Sequence, residues 1–80
     1  MTEPYQPINC EFHDELEALA VMRRQCTITY QDDSGEPVTV EDCIEDVYAR
    51  NKEEFLKLKS GSVIRLDRLI EVDGKRPKDY

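Results

Sequence analysis

Cys10, His13, Asp14 and Glu17 bring a thiol, an imidazole and two carboxylates together at helical spacing. Cys10 and His13 stand one helical turn apart, which would set a thiol beside a base able to deprotonate it. His13 with Asp14 and Glu17 could instead hold a cation or act as a general base. A nucleophile pair needs a third group to orient the base and a donor for the oxyanion, and neither is evident along the chain. A lone histidine on an acidic, exposed helix is most often simply solvated. Gly35, Gly61 and Gly74 stand singly, so there is no phosphate-cradling loop. The sequence therefore predicts no catalytic residue, no metal and no cofactor, and a small thiol enzyme built on Cys10 is the least favoured alternative.

These residues lie on one amphipathic helix. Phe12, Leu16, Leu19 and Ala20 follow the i, i+4, i+7, i+8 pattern of a single buried stripe. Asn9 precedes it as an N-cap, able to accept a free backbone N–H of the first turn. Glu11, Asp14, Glu15 and Glu17 crowd the start and Arg23 and Arg24 follow the end, an order that suits the helix dipole. Burying the stripe predicts that His13, Asp14, Glu17, Ala18 and Val21 face outward, flanked by Glu11, Glu15 and Met22. That face is either a solvated acidic surface or the seat of a basic partner, and the pattern alone does not choose.

Eighty residues with a net charge of −7 make one domain with one core. The acids are concentrated: residues 1–22 and 32–46 carry no lysine or arginine, and nine of the eleven basic residues lie from Arg50 onward. A chain this acidic repels nucleic acid and suits a basic protein surface. It lacks a basic start with an apolar run, and it lacks the roughly 20 apolar residues of a membrane span. Cys10, Cys26 and Cys43 form no CxxC pair. A cytoplasmic, monomeric protein with free thiols is the expectation, with Cys26 and Cys43 packed in the core.

The first residues should fray, and Pro4 and Pro7 hold Tyr5 and Gln6 extended, with Tyr5 and Ile8 pinned to the body. Beyond the helix, Cys26, Ile28 and Tyr30 alternate with threonines as a strand. Asp32-Asp33-Ser34-Gly35 turns the chain into a second strand opened by Pro37. Residues 42–50 fit either a helical turn, from the spacing of Cys43, Ile44 and Val47, or a short strand at Val47-Tyr48-Ala49. Arg50-Asn51-Lys52 bends. Glu54 to Lys59 forms a strand with Leu56 and Leu58 inward, Ser60-Gly61 turns, and residues 62–66 return. Asp67-Arg68 makes a half-turn into a last strand at Leu69 to Val72. The predicted fold class is α+β, mainly β: a small open barrel or sandwich of about five short antiparallel strands capped by the helix. An open-sheet α+β layer is the alternative. The expected domain spans residues 1–74, with lead-in and helix at 5–24 and barrel at 25–73. Residues 75–80 are expected to form a mobile polar tail.

Tyr5-Gln6-Pro7-Ile8-Asn9-Cys10, leading into an acidic helix, resembles the start of the Rof/YaeO family of Rho-binding antiterminators. Similar, too, are Gly35-Glu36 in an acidic turn, Arg50-Asn51-Lys52 before Phe55-Leu56, and the closing Arg65-Leu66-Asp67-Arg68-Leu69. The likeness covers roughly residues 5–72. It implies an Sm-like small barrel capped by the N-terminal helix. It also implies a bacterial protein that binds the RNA-binding N-terminal domains of the hexameric factor Rho, blocks RNA loading and inhibits termination. On this resemblance the contact surface falls on Asn9, Cys10, Asp14 and Glu17, and on Arg50, Asn51 and Lys52. Glu11, His13 and Val21 complete the expected partner-binding set. His13 stands where the family can carry an aromatic, and the segment between Val40 and Arg50 is slightly longer here. The competing reading is an Sm-like RNA binder that uses Lys57, Lys59, Arg65 and Arg68 as a basic strand face.

Overall fold

A computed structural model describes residues 8–77. The expected lead-in around Pro4, Tyr5 and Pro7 lies outside the described residues, as do positions 78–80. Helix α1 spans Cys10–Met22 and is followed by β1 (Gln25–Gln31), β2 (Pro37–Arg50), β3 (Glu53–Leu58) and β4 (Val63–Arg65). A 3-10 turn at Leu66–Arg68 leads into β5 (Leu69–Val72). The five antiparallel strands form one sheet in the order β4-β3-β2-β1-β5, so the fold is α+β and mainly β.

The edges of that sheet, β4 and β5, are consecutive in the chain and joined by only three residues. So short a connection can reach only if the sheet curls until its edges approach, which makes an open barrel. β2 allows the curl. Its first half pairs with β1 (Gln25↔Cys43 to Gln31↔Pro37) and its second half with β3 (Ile44↔Leu58 to Arg50↔Glu53). Between these halves the register skips Glu45, a bulge that bends the strand. The expected helical turn at residues 42–50 is therefore absent. The strand alternative there is the correct one, and it runs unbroken from Pro37.

Asn9 is extended, and its Oδ1 accepts the Glu11 N–H at 2.7 Å, so it caps α1 as its residue type predicts. Arg23, at φ 52°, ends the helix in the left-handed region, with its N–H donating to Leu19 O at 3.0 Å. Phe12, Leu16 and Leu19 are buried over the barrel mouth against β2. The barrel supplies Cys26, Ile28, Ile44, Leu56, Leu58, Ile64, Leu66, Leu69 and Val72 to the same core. Each large side chain buried there contributes about 1.5–3 kcal/mol of transfer free energy. Cys26 is buried as expected, and burial pushes its thiol up. Cys43 is only half-buried and does not join the core, because it alternates with inward-facing Val40 and Ile44 and so lies on the outer side of β2.

Residues 75–77, expected to begin a mobile tail, are attached to the body. Asp73 N donates to Thr27 O at 2.8 Å, and Val72 and Lys75 exchange backbone hydrogen bonds. Lys75 Nζ then reaches Glu15 on α1 at 2.6 Å, and Arg76 pairs with Glu71 at 3.0 Å. Left-handed Asp73 and Gly74 turn the chain back to make these contacts. No helix among the described residues is long and apolar enough to cross a membrane.

Candidate functional site

The outer face of α1 carries Glu11, Asp14, Glu17 and Ala18, all exposed, and ends at Val21, whose relative exposure is 82%. Asn9 and Cys10 are exposed at its start. This is the surface the helical pattern predicts, with one correction. His13 is only partly exposed. It leans sideways onto β3, with Nδ1 3.1 Å from Glu17 Oε1 and Nε2 2.7 Å from Glu54 Oε2. His13 follows a buried Phe12 by one position, about 100° round the helix, so its ring lies at the flank of the buried stripe and reaches the neighbouring strand. A neutral ring can donate to one of these carboxylates, and an imidazolium to both.

His13, Asp14 and Glu17 offer side-chain atoms within 4.8 Å of one another, the only such grouping of metal-ligating types among the described residues. Both ring nitrogens of His13 are already opposite carboxylate oxygens. The arrangement is a hydrogen-bonded clasp between helix and sheet, and a metal would have to displace one of those contacts.

Arg50, Asn51 and Lys52 form the exposed tip of the β2–β3 hairpin. Asn51 and Lys52 both have positive φ, 54° and 66°, the conformation of a tight two-residue hairpin turn. Glu54 is two residues beyond Lys52, so the clasp to His13 holds this tip within about 7 Å of chain of the helix flank. The helix face and the bend, far apart in sequence, thus belong to one surface.

Sequence reasoning missed Glu54, Glu45 and Asp46. Glu54 shares strand parity with inward-facing Leu56 and Leu58, and a carboxylate on the inner side at a barrel rim was a signal to look for a partner. Glu45 and Asp46 are both exposed, because the bulge turns two successive side chains outward. With Glu17, Ala20, Val21, Arg23 and Val47 they line an open trough of about 420 Å³ between α1 and β2.

The four basic residues of the alternative surface do not form one open face. Arg65 is buried and two-pronged on Asp67, Nε to Oδ1 at 2.6 Å and Nη2 to Oδ2 at 2.8 Å, with Glu53 at 3.5 Å. Lys57 pairs with Glu45 at 3.5 Å, and Arg68 Nη1 donates to Asp32 O at 3.0 Å. Alternation along β3 and β4 could not reveal that Arg65 is spent on holding the 3-10 turn.

Fold and surface together define a small helix-capped β-barrel with an acidic flank. Comparison with known proteins finds no family model, no curated protein and no solved structure that matches the chain.

Proposed function

We propose that this protein binds the transcription termination factor Rho at its primary RNA-binding site and inhibits termination by blocking RNA loading. The observation that carries the proposal is the exposed carboxylate face of α1, Glu11, Asp14 and Glu17, clasped through His13 and Glu54 to the Arg50-Asn51-Lys52 tip. A site that binds single-stranded RNA is a basic groove with aromatic platforms. Carboxylates presented on a rigid helix can take the place of phosphates in such a groove, with fast, steered association. Rho itself, rather than another basic protein, is named on the Tyr5 to Cys10 string and its continuation. Action in the bacterial cytoplasm, as a monomer and without catalysis, belongs to the same proposal.

The test is competition between the purified protein and a labelled oligonucleotide for Rho. Asp14→Lys with Glu17→Lys reverses two exposed charges and leaves the core untouched. Each close interfacial charge pair is worth about 1.5–3 kcal/mol, so the double variant is expected to lose competition altogether. Wild-type competition by the double variant would remove the helix from the interface. A shift of free single-stranded RNA by the protein at physiological salt would instead favour direct RNA binding.

A further inference from the structure

We propose that the trough between α1 and the β2 bulge receives one basic side chain of the protein partner, a deepening that rests on the binding function proposed above. Part of its lining is aliphatic: Ala20 and Val21 from the helix and Val47 from the strand. The rest is acidic, Glu17 from the helix and Glu45 and Asp46 from the bulge, against the single guanidinium of Arg23. A lysine or arginine has this composition in reverse, an aliphatic stem ending in a cation. Seated here, the stem would cover the exposed Val21 and the head would meet the carboxylates.

Glu17 is engaged by His13, and the two carboxylates of the bulge are the ones available for the head. Asp46 and Arg23 make no ion pair among the described residues, so the trough does not neutralise itself. Among the described residues Glu45 forms one ion pair, with a half-exposed Lys57 at 3.5 Å, a contact worth little in water. The volume of about 420 Å³ suits one long side chain and its water rather than a bare ion. Glu17, Glu45 and Asp46 also form no convergent cage, since the grouping of ligand-type atoms among the described residues lies elsewhere, at His13, Asp14 and Glu17. The bulge is what builds the site. In a regular strand Glu45 and Asp46 would point to opposite faces, and one of them would be lost to the trough.

The experiment measures affinity for Rho hexamer with wild type, Asp46→Lys, Asp46→Asn, Val21→Ser and the Asp14→Lys/Glu17→Lys pair, each first checked for an unchanged thermal transition. Asp46→Lys is expected to weaken binding by about tenfold or more, and Asp46→Asn and Val21→Ser by smaller factors. Wild-type affinity in all three trough variants, while the helix pair still abolishes binding, overturns the trough and leaves the proposed function standing. Absence of any Rho binding by the wild-type protein overturns both.

Discussion

His13 Nε2 lies 2.7 Å from Glu54 Oε2, which ties the start of the capping helix to β3 across a separation of 41 positions. With Glu17 on the other ring nitrogen, the clasp fixes the angle at which the acidic face is presented. His13→Ala and Glu54→Ala are each expected to lower stability by about 1 kcal/mol, with a coupling of about 0.5–1 kcal/mol in the double-mutant cycle. Urea unfolding of the four proteins reads it, and strictly additive losses would show that the two side chains do not support each other.

Phe12 is fully buried where the helix meets the barrel. Phe12→Ala is expected to cost about 3–5 kcal/mol, a large share of the total for so small a domain. Denaturation midpoints by circular dichroism measure it. A loss below about 1 kcal/mol would mean that the helix is not seated on the core as described.

The helix was legible because Phe12, Leu16 and Leu19 repeat with its own period and nothing interrupts them. The strands around Ile28 and Leu56 were legible for the matching reason, period two with turn residues at each end. Residues 42–50 were not, and the cause is physical. The extra residue at the bulge, Glu45, shifts the phase of β2, so Ile44 and Val47 both turn inward although they are three apart. A bulged strand thereby imitates the spacing of a helical turn. His13 and Arg65 escaped for another reason: their partners, Glu54 on a different element and Asp67 within a 3-10 turn, are chosen by tertiary geometry. Of the candidate surface, Asp14, Glu17 and Val21 were placed by pattern alone, whereas Glu45 and Asp46 needed the bulge.

Lys52 sits at φ 66°, in a hairpin position that glycine fills with least strain. Lys52→Gly is expected to raise stability by up to about 1 kcal/mol. If Lys52 belongs to the Rho contact, the same substitution weakens binding. Opposite signs for stability and affinity are the expected pair of results. A destabilised Lys52→Gly protein would contradict the turn geometry.

Two aspartates make stability sensitive to acid. Hydrogen bonds from the Ser34 hydroxyl and the Glu36 backbone N–H hold Asp32 below the usual carboxylate range. Hydrogen bonding to Ser60 and to the Cys43 N–H does the same for Asp42. A group whose pKa is lower in the folded state stabilises the fold fully above its unfolded value, here the ordinary 3.8. That contribution is lost as pH falls through the lower folded value. Stability is therefore expected to decline below about pH 4, and Asp32→Ala with Asp42→Ala should flatten this part of the curve. An acid limb unchanged in the double variant would place the sensitivity elsewhere.

Salt separates charge-driven binding from burial of Val21 alone. The net charge is −7, and among the described residues the acids Glu11, Asp14, Glu17, Glu45 and Asp46 are exposed on the helix and the bulge. Association with a basic groove gains its speed from the summed field, which is screened over about 10 Å at 0.1 M salt and about 3 Å at 1 M. The association rate with Rho is therefore expected to fall steeply between these salt concentrations, while dissociation changes less. Asp14→Asn should make that dependence shallower while leaving binding measurable, because it removes one of the exposed charges that do the steering. An association rate flat across the range in the wild-type protein would refute carboxylates acting in place of phosphates and leave Val21 and Ala18 as the contact.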